Sequence, residues 1–275
     1  MKVLITGGAG FIGSNASAWY GRRGDRVVVL DNLSRPGSEA NLVWLRKILP
    51  KGHLVHESMD VRSNSQVEKA FAKHGAGADL ILHLAAQVAV TTSVQNPRHD
   101  FAVNALGTFN VLQAVRRHAR ATPFLYSSTN KVYGGMTSVK VRLAETRYEY
   151  EDFPQGIDES FPLDFHSPYG CSKGTADQYV RDYARIYGLK TLVFRQSCIY
   201  GERQFGVEDQ GWVAWFMIAR LTGKPITIYG DGKQVRDVLY IDDLARAFEL
   251  AVERIGRIRG EIFNIGGGSE FTLSV

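Results

Sequence analysis

The chain has 275 residues, with 33 Lys and Arg against 28 Asp and Glu for a net charge of +5, and it is 44% hydrophobic. That mixture excludes wholesale disorder, and the length provides a sizeable core without disulfides or metals, in one large domain or two closely joined ones. Two cysteines, Cys171 and Cys198, exclude a disulfide framework, and no apolar run is long enough to span a bilayer, so a reducing, cytoplasmic setting without a membrane partner is expected.

In chain order, Val3–Thr6, Val27–Leu30, Leu54–His56, Leu80–Leu84, Phe124–Ser127 and Thr191–Phe194 read as buried strands, continuously apolar rather than alternating. Amphipathic stretches near 12–23, 40–49, 64–74, 98–120 and 168–187 read as the helices between them. Strand–helix alternation with strands buried on both faces predicts α/β architecture: a Rossmann-type doubly wound parallel sheet over 1–195. The polar stretch 129–166 breaks this rhythm, as functional loops do. Beyond it, a helix near 210–222 and strands near 226–229 and 261–265 predict a smaller substrate-binding lobe over 196–275. Arg116, Arg117, His118 and Arg120 cluster at a predicted helix end, where they complement the dipole. The modest positive surplus suits an anionic small molecule as well as a nucleic acid, so charge alone does not decide; no nucleic-acid partner is expected.

The first strand runs into Gly7-Gly8-Ala9-Gly10-Phe11-Ile12-Gly13, which opens the first helix. Gly7, Gly10 and Gly13 permit a tight turn, close approach to a pyrophosphate and close helix–strand packing, and the helix N-terminus offers free N–H groups. Asp31, 18 residues past Gly13, ends the second strand where a carboxylate meets an adenosine ribose. Its charge would repel a 2′-phosphate, which favours NAD over NADP. Arg35 is the counter-signal, unless it stacks on adenine. Asp60 after the third strand could meet the adenine amino group or cap the next helix. The small side chains of Leu84-Ala85-Ala86-Gln87 leave room for a flat ligand. Asn104 is a polar residue on a packed helix, structural or ligand-facing.

Tyr169 and Lys173 lie four apart on a predicted helix, hence on one face. An ammonium there would lower the tyrosine pKa, making a base that takes a proton from a sugar hydroxyl as hydride leaves the carbon. Thr129, in the turn after strand five, would hold that hydroxyl. Strand-end capping is the alternative for its neighbour Ser128 and the accepted role of Ser127. His53 and His56 point to opposite faces of a strand, and no metal site is expected.

Together the Thr6–Gly13 and Asp31–Ser34 segments, the Asn104 segment, Ser128–Gly134 and Tyr169–Lys173 resemble the extended short-chain dehydrogenase/reductases. Within them, Asp164–Gly174, Tyr200-Gly201, Arg203-Gln204-Phe205, Asp209–Trp212 and Gly232–Val238 carry a likeness, over essentially the whole chain, to the CDP-paratose/CDP-tyvelose 2-epimerases. The resemblance implies an NAD-dependent nucleotide-sugar epimerase, with Tyr169 deprotonating the C2 hydroxyl of a CDP-hexose and a transient 2-keto sugar turning over. It implies Thr129, Tyr169 and Lys173 as catalytic. It implies cofactor contacts at Gly7, Gly10, Phe11, Ile12, Gly13, Asp31, Asn32, Ser34, Arg35, Asp60, Val61, Leu84, Ala86, Gln87, Asn104, Tyr169 and Lys173. Substrate contacts would come from Ser128, Arg203, Gln204, Tyr229 beside the base and Arg236 on the pyrophosphate.

A homo-oligomer, dimer or tetramer, goes with the resemblance. Cys198 departs from the Asn common in related epimerases and dehydratases, but a small residue there fits the 2-epimerases. Related 4,6-dehydratases carry Asp-Glu after the threonine; Asn130-Lys131 here lacks that elimination machinery. A UDP-sugar 4-epimerase uses the same Tyr/Thr/Lys set and stays open, as does a non-catalytic NAD-binding regulator. Phe271–Val275 reads as the entry to a helix that the family continues with further C-terminal helices, so the length is read as that of a shortened chain.

Overall fold

A computed structural model describes residues 1–274. In chain order it contains β1 (Lys2–Thr6), α1 (Phe11–Arg22), β2 (Arg26–Leu30), α2 (Ser38–Ile48), β3 (Leu54–Glu57), α3 (Asn64–His74), β4 (Leu80–His83), α4 (Val90–Gln95) and α5 (Pro97–Phe101). A π-helical turn (Ala102–Leu106) leads into α6 (Gly107–His118), β5 (Phe124–Thr129), a 3-10 turn (Asn130–Tyr133), β6 (Val141–Leu143), β7 (Tyr148–Tyr150), α7 (Ser167–Tyr187) and β8 (Thr191–Gln196). The chain ends with β9 (Cys198–Tyr200), α8 (Trp212–Thr222), β10 (Arg236–Tyr240), α9 (Ile241–Ile258), β11 (Ile262–Ile265), a 3-10 turn (Ser269–Phe271) and β12 (Thr272–Leu273).

Seven parallel strands form one sheet in the order β11-β8-β5-β4-β1-β2-β3. The chain winds one way from β1 to β3 and the other from β4 outward, so a crevice opens between the C-terminal ends of β1 and β4. Val3, Leu4 and Ile5, Val27 to Val29 and Leu80 to Leu82 are fully buried, which explains their unbroken apolar runs. One core lies between the sheet and α3, α6 and α7, the other between the sheet and α1, α2 and α9. Helix α9 shows how one stripe suffices: Ile241, Leu244, Ala245, Phe248, Ala251 and Ile255 are its buried residues.

Four differences from the sequence reading have physical causes. The stretch 98–120 is not one helix: α5, the π turn and α6 share it, and Asn104 within the π turn bonds Gln87 O and Ser172 Oγ through its side chain. Strand β11 pairs in register with β8, and α9 packs on the sheet, so 241–265 joins the cofactor-side sheet instead of a separate lobe. Residues 226–229 form no strand; Ile226, Ile228 and Tyr229 are exposed. Thr272–Leu273 pairs antiparallel with β10 where a helix entry was expected, and Val275 lies outside the described residues. Among the described residues no helix is long and apolar enough to cross a membrane.

Two buried polar clusters fasten the layers. Asp177 on α7 and Arg195 on β8 pair through Nε and Nη2 at 3.0 and 3.1 Å, both essentially inaccessible to solvent. Arg195 Nη1 also reaches Tyr133 Oη, and Ser128 Oγ donates to Asp177. Nearer the crevice, Thr6 Oγ1 meets His83 Nδ1 at 2.6 Å, and His83 Nε2 meets Thr108 Oγ1 at 2.9 Å. The Thr108 hydroxyl gives its hydrogen to Asn104 O, so it accepts from His83, which assigns the imidazole proton to Nε2. Burial, with Lys173 nearby, pushes the His83 pKa down to about 3.

Asp177→Ala strands a buried guanidinium and should cost about 3–5 kcal/mol in urea denaturation, far more than a surface ion pair. The unfolded chain protonates His83 near the ordinary pKa of about 6.5, well before the folded one does. Stability should therefore be complete above that pH and decline as pH falls toward 3. In acid titrations followed by circular dichroism, His83→Asn should flatten that decline.

Candidate active site

The turn after β1 is built on contacts that exclude side chains. Gly7 has φ +68°, and a Cβ there would lie 2.7 Å from the backbone of Ala85; at Gly13 it would lie 2.0 Å from Gly7 O. Gly10 N–H donates to Gly7 O at 3.0 Å, which leaves Gly10 as N-cap of α1. The first N–H groups of the helix, from Phe11 onward, have no intrahelical acceptor and are donors for an anion. Asp31 follows β2, with Oδ2 accepting from Ala9 N at 3.0 Å and Oδ1 from Leu33 N at 2.8 Å. Each oxygen keeps a lone pair for a ribose hydroxyl. A glycine cradle against a helix N-terminus and a braced carboxylate at the next strand end fit a dinucleotide without a 2′-phosphate.

Asn32 accepts from Ser34 N and donates to Asp60, linking the ends of β2 and β3. Arg62 grips the Asp60 carboxylate and holds its pKa below the usual range, so Asp60 answers an arginine, with Asn32, in this arrangement. Val61 is buried against Gly107. Leu84, Ala86 and Gln87, half-buried, continue the crevice past β4. Arg35 reaches across to Gln210, and its charge acts on Tyr169 and Asp209. Asn104 looks inward. Its Nδ2 lies within 3.1 Å of Gln87 O, Asp100 Oδ1 and Ser172 Oγ, and its Oδ1 accepts from Gln87 N, so it braces the cofactor-side loop from behind.

Thr129 at the end of β5 meets Tyr169 and Lys173 on α7, all three buried. Helix α7 starts at Ser167 with Pro168 in its first turn, and Tyr169 N donates to Ser93 Oγ on α4. Thr129 Oγ1 accepts from Lys131 N at 3.2 Å, and its hydroxyl hydrogen-bonds the Tyr169 phenol. The expected lowering of the Tyr169 pKa is reversed. Burial pushes the phenol up to about 12 and Asp100 adds to this, against the pull of Thr129 and Arg35. Lys173 does not offset it because its Nζ donates to Ser127 O and lies 4.3 Å from the centre of the Tyr126 ring. Burial lowers Lys173 itself to about 7, while Asp177 and Asp100 hold it up.

Four of the expected substrate contacts are engaged with other protein groups. Ser128 is buried on Asp177, where desolvated charge claims its hydroxyl. Arg203 bonds Asn41 Oδ1 and Ala40 O and lies over the Trp44 and Phe205 rings, against α2. Gln204 donates to Ile199 O in the same strap. Tyr229 is 67% exposed, and its hydroxyl donates to Glu208. Arg236 is exposed at the start of β10, and its charge acts on Lys131 just after Thr129, which places two cations beside the crevice. Asp100, Ser172, Ser93 and His83 were not singled out from sequence. The Asp100/Asn104 pair, one helical turn apart, was the available signal.

The family model "NAD dependent epimerase/dehydratase family" matches residues 3–266. The chain is 49% identical to a CDP-paratose 2-epimerase of Salmonella typhi, over 100% of this chain and 81% of that enzyme. It is 33% identical to a dTDP-glucose 4,6-dehydratase of Neisseria meningitidis, over 98% and 72% of the two chains. Among solved structures, a Thermus thermophilus UDP-glucose 4-epimerase in complex with NAD superposes with a TM-score of 0.77 at 33% identity, covering 98% of this chain and 80% of that one. With a match across nearly its whole length, together with a glycine turn before α1, a braced carboxylate after β2 and a buried Thr/Tyr/Lys set, the chain belongs to the NAD-dependent epimerase/dehydratase family.

Proposed function

We propose that this NAD-dependent nucleotide-sugar epimerase inverts C2 of a CDP-hexose through a transient 2-keto sugar. One observation carries the reading: Thr129 at the end of β5 and Tyr169 and Lys173 on α7 are buried together, and Thr129 is followed by Asn130 and Lys131. Elimination of water needs an acid and a base beyond the tyrosine, and this position holds neither carboxylate. The likeness to the Salmonella CDP-paratose 2-epimerase supports cytidine and C2.

The Gly7–Gly13 turn and the first N–H groups of α1 would hold the pyrophosphate, and Asp31 the adenosine ribose. Bound NAD would supply a hydride acceptor that is also the donor, so no external oxidant is required. Thr129 donates to the reacting hydroxyl and aligns it with Tyr169. Tyr169 takes the hydroxyl proton and later returns it to the same oxygen, leaving no net redox change. Its phenol stays raised to about 12 with the pull of Arg35 across the crevice included, so losing the proton needs further positive charge beside it. Arg236 and Lys131 provide cations for the nucleotide pyrophosphate.

The reading also takes the enzyme to be a cytoplasmic homo-oligomer. Both cysteines are free, and the α5–α7 face exposes Phe101, Phe109, Tyr179 and Ile186 as an apolar strip suited to a second copy.

Incubation with CDP-, UDP-, GDP- and dTDP-hexoses, followed by NMR of the ring protons, should show C2 inversion of the cytidine sugar without loss of water. Inversion confined to C4 would overturn the C2 assignment. Tyr169→Phe should lower kcat by about 10²–10⁴-fold, with the fold retained by circular dichroism. Full activity in that variant would sink the proton-transfer role.

A further inference from the structure

Helix α7 carries Tyr169 and Lys173, and between them Ser172 turns inward to a carboxylate that no step of the proposed reaction uses. Asp100, on α5, is fully buried and forms no salt bridge among the described residues. Ser172 Oγ donates to Asp100 Oδ2 and lies 3.2 Å from Tyr169 O. Asp100 Oδ1 accepts from Gln87 Nε2 at 2.8 Å and from Asn104 Nδ2 at 3.1 Å. Three elements therefore converge on one carboxylate: the crevice loop after β4, the π turn and the helix bearing the Tyr/Lys pair. Such a group is costly to bury without a cation, and full hydrogen bonding is what makes it tolerable.

We propose that Asp100 is a positioning residue for the Tyr169/Lys173 pair, fixing α7 through Ser172 and placing a buried negative charge beside the lysine. The inference rests on the epimerase reading for what the pair does, and on this structure for the placement.

The charged and titratable groups around Lys173 come from every packed element. Asp177 lies on α7 itself, Asp100 on α5, Tyr126 on β5, and His83 on β4. Tyr169 is faced by Asp100, Thr129 and Arg35. His83 is neutral at ordinary pH, and Asp177 is shared with the Arg195 guanidinium. Asp100 is the carboxylate near Lys173 without an arginine of its own. Burial drives the ammonium toward neutrality, and the two carboxylates oppose it, leaving the group near 7. Without Asp100 the balance tips toward the free amine.

The test separates charge from placement. Asp100→Asn removes the charge but keeps a side chain of the same shape: its carbonyl can accept from Gln87 and Asn104, and its amide can donate to Ser172 Oγ. Ser172→Ala keeps the charge and cuts the link. Lysine labelled with ¹³C at Cε, in the full chain, should give one resonance titrating near 7, identified by its absence in Lys173→Met. In Asp100→Asn that midpoint should fall by about half a unit or more. In Ser172→Ala it should stay in place while kcat drops about tenfold or more, with KM little changed. An unmoved midpoint in Asp100→Asn, or a fully active Ser172→Ala, would overturn the proposal. The titration needs no substrate. A wild type that epimerises no nucleotide sugar would therefore overturn the functional reading alone.

Discussion

The crevice depends on how near the chain comes to itself between β1 and β4. Gly7 lies against the backbone of Leu84 and Ala85 with no space for a Cβ, and Gly13 lies against Gly7 O just as closely. Thr6 Oγ1, one residue before, accepts from the N–H groups of Leu84 and Ala85 at 3.2 and 3.3 Å. Two parallel strands are thus fastened at the point where the winding direction reverses. The first N–H groups of α1 open beside the ends of these strands. Side chains larger than hydrogen at these positions would push the helix off the sheet and remove the donors from reach.

The same fastening extends sideways into the catalytic half. The Thr6–His83–Thr108 thread reaches the carbonyl of Asn104, and the Asn104 side chain holds Gln87 and meets Ser172. The turn that would cradle phosphates and the helix that carries Tyr169 therefore belong to one continuous polar lattice. Because it is buried, each bond is stronger than at a surface, and each missing partner would cost more. The π turn is the backbone's accommodation to that lattice: an extra residue per turn lets Asn104 aim at Gln87 while Thr108 keeps His83.

Much of this was legible in the residues. Continuous apolar runs located six of the seven sheet strands, since burial on both faces removes any reason for alternation. The glycine spacing located the tight turn between β1 and α1, since steric exclusion is local and leaves a local trace. The Tyr169/Lys173 spacing located one buried face of α7. Ser128, Arg203, Gln204 and Tyr229 were less legible, because their partners are not their motif neighbours: Asp177, Asn41, Ile199 and Glu208. Motif position says that a residue is near a site and says nothing about which neighbour claims its hydrogen bonds.

The strand Ile262–Ile265 makes the same point for the fold. Its four residues read as a strand, yet only the pairing with β8 assigns it to the main sheet and not to a lobe. By itself the amino-acid order determined the alternation of strands and helices, the sterically required glycines and the residue types in the crevice. Each of these follows from forces acting over a few residues. Tertiary structure alone decided the direction of the Tyr169 and Lys173 shifts, the inward turn of Asn104 and the convergence on Asp100. Those depend on desolvation and on charges brought together from distant segments, and such energies exist only once the layers have closed over them.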